Sequence, residues 1–283
     1  TWERGVNFSV LSHFLLALLV TAGRLESDLA KTRNRQHAVN VTLTTFLRTD
    51  IFDVATQFAR EPDKISPRQI EWGDEELLVR VLEERYQANS GKRPGHVLDM
   101  WKELFCDEVL GLSTRDYILW RVLPRPRDII YLANAALTTA INRRHDRVMS
   151  ADFTFAERDY SRFAVEALLV ESQPQGFDLE EILFSFAGLC ATLPEGELDE
   201  ALSGAQEHSA VKDWLLRTSF LGIQSSDGHY TYVNGEAEAR KKMIAARRLA
   251  ARRSEPVIFR IHPAFRPYLD VRDDDLMPTV ARG

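Results

Sequence analysis

The chain is 283 residues long, with 45% hydrophobic and 28% charged residues, which excludes a disordered tail, a collagen-like chain and a disulfide scaffold. Its 36 basic and 42 acidic side chains leave a formal net charge of −6, so the whole molecule is no polycation built to coat nucleic acid. Two domains fit this length at the usual ~100–200 residues each.

The first expected element is a helix over 9–30, apolar from 10 to 20 and polar from 24 to 31. Its run FLLALLV at 14–20 imitates the apolar part of a signal peptide. Seven apolar residues are too few for a membrane span, which needs ~20. A buried helix and no membrane partner are expected. Residues 39–47 (VNVTLTTFL) follow, dense in β-branched residues and free of charge. Such a run fits a strand buried on both faces. One strand forms no sheet, so its neighbours are expected upstream of Thr1 or in another molecule.

From 51 to about 170 the pattern is helical. Leu77, Leu78, Val81 and Leu82 form one stripe with Glu75, Glu76, Glu83 and Glu84 opposite, and Val97, Met100, Trp101, Leu104 and Phe105 form a second. Pro124 and Pro126 bracket a turn, and Arg127-Asp128 opens a helix through Ile141. Thr154 to Glu157 has capping-box spacing for the next helix. Pro174 and Gly176 then mark a domain boundary. Beyond them three short helices are expected near 178–190, 195–206 and 209–220. Alternating segments at 221–226 and 229–234 are joined by Asp227-Gly228 as a type I′ hairpin. Those are the parts of a winged helix. A long basic helix, a strand at 256–261 and a short helix from His262 complete the chain.

Cys106 and Cys190 sit in apolar helical patterns and form no C-x-x-C. They read as reduced thiols of a cytoplasmic protein. The seven histidines include no H-x-x-x-H pair and no cysteine neighbour, so no metal site is expected. The only Gly-Lys pair, Gly91-Lys92, is followed by Arg93 and fails as a P-loop.

Three features remain. The strand end delivers Arg48, Thr49 and Asp50 where open α/β sheets bind ligands; the plainer reading is turn and cap residues. Arg125 and Arg127 flank Pro126 at a helix start, where free N–H groups favour anions and Arg suits phosphate. They serve equally as partners of surface carboxylates. Residues 240–253 hold seven basic side chains and no acid, with Arg240 and Arg247 on one face and Lys241, Arg248 and Arg252 on the next. With Arg253 these are the candidate contacts to nucleic acid or a partner. The alternative, favoured by a small margin, is packing against acidic helices such as that of Glu75–Glu84.

In this order the features resemble the C-terminal half of bacterial P-loop ATPases of the AAA+/STAND-like group, found in large conflict and defence proteins. The resemblance rests on Thr1-Trp-Glu-Arg4, on Phe46-Leu-Arg48-Thr-Asp-Ile-Phe52 as a sensor-1 strand, and on Asp63-Lys64, Ile70-Glu-Trp72, Leu77-Leu78 and Arg85 after it. It rests also on Arg125-Pro-Arg127-Asp-Ile-Ile130 with Leu132 and Asn134 as a sensor-2 helix, and on Arg260 to Phe265. It implies a mainly α chain: an incomplete ATPase core over 1–90, a helical lid over 91–173 and a winged-helix domain over 174–283. The Walker A loop and Walker B acids are absent, which implies a nucleotide-binding half before Thr1. ATP and Mg2+ would then bind the longer protein and not this chain alone. Arg127 would reach the γ-phosphate, Arg48 or Thr45 would sense it, and Arg125 would assist. The whole would be an ATP-driven switch in antiviral defence, acting as a homo-oligomer or on an effector protein. The reading from another class is a non-enzymatic winged-helix adaptor for DNA or protein.

Overall fold

A computed structural model describes residues 8–31, 42–48, 51–52, 55–56, 58, 68, 70, 72–90, 99–171, 178–205 and 207–273. Thr1–Arg4, residues 39–41, Thr49, Asp50, Asp63-Lys64, Glu71, Gly91-Lys92, Val97, Pro174 and Gly176 lie outside them. The chain divides into two compact units, Thr1–Glu71 and Trp72–Gly283. Among the described residues helices dominate and the sheets are small.

In the first unit, helix α1 spans Phe8–Lys31 as the apolar run predicts, but it is not a core helix. Leu16 and Ser12 are buried while Val10 and Phe14 are each 63% exposed. Val10–Leu29 is the one helical stretch, among the described residues, long and apolar enough to cross a membrane. The strand expected at 39–47 is not seen: residues 42–48 carry no strand and all but Leu47 are exposed. The Phe52 amide bonds back to the Arg48 carbonyl at 2.9 Å, a helical turn rather than a ladder contact. β-branched density is only a preference for a pleated surface, and among the described residues no strand pairs with 42–48 to supply one.

The second unit begins with α2 (Glu75–Asn89), capped by Asp74, whose carboxylate accepts from the Glu76 amide. Leu78, Val79 and Leu82 are its buried residues, and Leu77 faces out. After α3 (Met100–Leu104) comes a hairpin that the helical pattern hid, β1 (Glu108–Val109) and β2 (Leu112–Ser113). Its two loop residues, Leu110 and Gly111, both have positive φ (50° and 84°), as a type I′ turn requires. Ser113 then caps α4 (Thr114–Arg121).

Helix α5 (Pro126–Arg143) starts on Pro126, which lacks an N–H to orphan and has φ pre-set for a helix. Helix α6 (Ser150–Glu171) packs along it, with Tyr131 stacked on Phe163 at 4.2 Å. It starts a turn before Thr154, so the expected capping box is not used. Glu157 instead turns inward.

The remainder runs α7 (Leu179–Phe184), β3 (Thr192–Pro194), α8 (Glu195–Ala201), α9 (His208–Arg217), β4 (Thr218–Gln224), β5 (Tyr230–Asn234), α10 (Glu236–Arg253) and β6 (Ile258–Ile261). The antiparallel sheet has the order β3-β6-β4-β5, so β6 returns to insert between β3 and β4. The hairpin at Asp227-Gly228 is present, but its loop has three residues. Gly228 alone has positive φ there (87°), and Ser225 pairs with His229. Gly222 lies under the Tyr232 ring, where a Cβ would stand 2.7 Å from Cε1.

A 3-10 turn, Pro263–Phe265, replaces the short helix expected from His262. The strand pairing then carries the chain back across the helices: the Tyr268 amide donates to Ser161 Oγ at 3.0 Å. One hydrophobic core runs from Leu78 to Val271, including Tyr117, Phe153, Trp214, Phe220 and Phe265.

Candidate nucleic-acid interface

Helix α10 is positioned by small side chains. Gly235 (φ 103°) turns the chain into it, and Ser254 (φ 56°) ends it in the left-handed region. Ala239, Met243 and Ala246 recur at three- and four-residue spacing and are its buried residues. They face α9, β4 and β5. The expected packing against the acidic helix of Glu75–Glu84 is not found. In that helix Glu76 pairs with Arg115, and Glu83 accepts from Trp101 Nε1 at 2.8 Å.

Because the buried stripe occupies one side, the basic residues are left outside. Arg240, Lys241, Arg247, Arg248, Arg252 and Arg253 are all exposed. Their compensation is slight. Arg247 reaches Glu195 at 3.7 Å, and Lys241 meets Glu238 at 3.4 Å in an exposed pair worth little. Among the described residues no carboxylate lies within ion-pair distance of Arg240, Arg248 or Arg252. Arg253 donates to the Ser226 carbonyl at 3.1 Å, tying the hairpin turn to the end of α10. Arg252 and Arg253 also suit the negative end of the helix dipole, but Arg240 to Arg248 lie too far from it for that account.

Arg125 and Arg127 come together around Asp128. Arg125 is the N-cap residue of α5 with no side-chain cap bond. Arg127 Nε lies 3.3 Å from Asp128 Oδ2, and its guanidinium is 5.8 Å from the Phe163 ring. Burial raises the Asp128 carboxyl, against the pull of both arginines. Tyr160 donates to Asp128 Oδ1 at 3.0 Å and accepts from the Leu123 amide at 2.9 Å. Thr45 and Arg48 lie in the first unit, exposed and on a stretch without strand structure.

The pattern reading missed a buried ionic cluster. Arg121 pairs with Glu157 at 2.7 Å, donates to the Pro263 carbonyl at 3.1 Å and lies 4.5 Å over the Trp120 ring. Arg266 donates to the Ile261 carbonyl at 2.8 Å and pairs with Asp273. Burial drives the Glu157 carboxyl up to about 8 and Arg121 down to about 10. Each of these residues looks like an ordinary surface charge in its own helix or turn. Arginines at 121 and 266 among aromatic residues were the one available signal. Among the described residues no group of three His, Cys, Asp or Glu could hold a metal.

Residues 76–169, α2 to α6, match the family model described as the FunZ-associated C-terminal helical domain. No curated protein and no solved structure matches the chain. The matched helical domain takes in Arg121, Arg125, Arg127 and Glu157. The basic helix α10 lies outside it, in the sheet-bearing part. The match is to a helical domain and brings no P-loop core with it.

Proposed function

We propose that this chain is a non-catalytic module that binds the nucleic-acid backbone through the exposed face of α10. The observation that carries this reading is the sorting on that helix, with Ala239, Met243 and Ala246 inside and six basic side chains outside. The order α7-β3-α8-α9-β4-β5 supports a winged-helix adaptor, with β6 as an added strand. The helical-domain match over 76–169 supports an accessory role in a larger defence-type protein. The test replaces Arg247, Arg248, Arg252 and Arg253 together by Gln. Duplex binding by fluorescence anisotropy is expected to weaken at least tenfold while the circular dichroism spectrum is kept. Unchanged affinity overturns the reading.

A second reading, the ATP-driven switch, is favoured by Arg125 and Arg127 at the first turn of α5, where phosphate oxygens suit both guanidinium and helix N-terminus. In it ATP and Mg2+ are held elsewhere in a longer protein, and Arg48 or Thr45 senses the γ-phosphate. Arg127→Ala would then lower ATP turnover of that longer protein with little loss of folding stability. Turnover untouched by this change counts against the switch.

A further inference from the structure

We infer that duplex binding, on the reading just proposed, is independent of base sequence, because α10 meets phosphates while α9 is closed to the bases. In a helix-turn-helix arrangement the second helix enters the major groove and its side chains reach base edges. By its place after α8, that helix is α9. Its own chemistry does not suit the task. Val211, Trp214, Leu215 and Leu216 are spent on the core. Lys212 is buried as well, held by Asp199 at 2.6 Å and Glu195 at 3.3 Å. What α9 leaves exposed includes His208, Ser209 and Asp213, and Asp213 repels phosphate. Helix α10 packs against it and shares with it a groove lined by Asp199, His208, Lys212, Asp213, Arg240 and Arg247.

The outer stripe of α10 has the opposite character. Lys241, Arg248 and Arg252 fall in line at seven- and four-residue spacing, about 17 Å from end to end at 1.5 Å per residue. A duplex carries one charge per ~1.7 Å of axis, so such a stripe meets several phosphates whatever the sequence. Ala245 lies between these side chains and keeps the face low. α10 holds no aromatic residue, so it lacks the stacking platform that single strands need. Duplex is therefore preferred over single strand.

The experiment titrates the full chain into two fluorescent duplexes of unrelated sequence and equal length, and into one single strand. Expected are duplex affinities within about twofold of each other, with the single strand at least about fivefold weaker. The slope of log K against log salt should be about −2.7, at ~0.9 per phosphate for three contacts. Lys241→Gln, Arg248→Gln and Arg252→Gln combined should cost at least tenfold, and His208→Ala or Asp213→Ala less than twofold. A tenfold preference between duplexes, tighter single-strand binding, or dependence on His208, overturns this inference and leaves nucleic-acid binding standing. No binding to any of the three overturns both.

Discussion

His262 follows strand β6 and is 6% exposed. Its Nδ1 accepts from the Ala264 amide at 3.1 Å, so the ring acts as a neutral cap with its proton on Nε2. Burial, with Arg266, Arg121 and Arg125 adding their charge, holds the imidazole down to about 3. An unfolded chain takes up this proton near the ordinary ~6.5, so between the two values the unfolded state binds more protons. Stability therefore rises with pH through that window, is fully present above it, and is lost progressively as pH falls through it. Urea unfolding at pH 7.5 and 5.5 should differ by about 1.4 kcal/mol from this group alone. His262→Asn keeps a capping oxygen and removes this titration, so the change in stability from pH 5.5 to 7.5 should be less positive than in the parent chain by about that amount. An unaltered pH difference in that variant would refute the assignment. None of this was legible in the sequence, where His262 stands among seven histidines with no neighbour to mark it. Its arginines arrive from α4, from the start of α5 and from beyond the 3-10 turn.

At the scale of elements, local chemistry decides most helices and fails where a turn breaks its own rule. The caps Asp74, Ser113 and Asp178 each accept from an amide of the first turn, as short polar side chains before an apolar run should. The β1–β2 hairpin escaped because Leu110 occupies a position that usually takes Asn, Asp or Gly. Left-handed backbone costs a side chain such as leucine about 1–2 kcal/mol. Leu110 is 46% exposed and contributes only part of its burial energy in return. Leu110→Gly should therefore raise stability by up to about 1 kcal/mol, read as a higher urea midpoint with an unchanged m-value. A lower midpoint would mean that the leucine side chain packs for more than the strain. The stripe of Ala239, Met243 and Ala246 in α10 emerged only with the structure, whereas its basic face was visible beforehand. Which neighbour the apolar stripe would meet was not, because alanines and one methionine fit many surfaces.

Across the whole second unit, the C-terminal return from β6 joins the helical part to the sheet. Arg121 and Glu157 come from the matched helical domain, while Pro263, Arg266 and Asp273 come from that return. Removing one member of a buried pair strands the other charge, which costs about 3–5 kcal/mol. Glu157→Ala should lose stability in that range, whereas Arg121→Met with Glu157→Leu should recover most of it. Chemical denaturation of the single and double variants measures this, and equal losses in both would place the energy in packing instead.

The sequence by itself determined the mainly helical class, the long α1, a helix start close behind the Pro124–Pro126 turn, the hairpin at Asp227-Gly228 and the basic face of α10. Each depends on residues within about one turn or one loop of each other. Tertiary structure alone decided the rest. Residues 42–48 carry no strand for all their β-branched side chains, and the sheet takes β6 into its middle. Glu157 leaves its expected cap for Arg121, and α10 lies on α9 rather than on acidic α2. Those outcomes depend on groups far apart in the chain, and charge and hydrophobicity patterns record what a face can bury but not what comes to cover it.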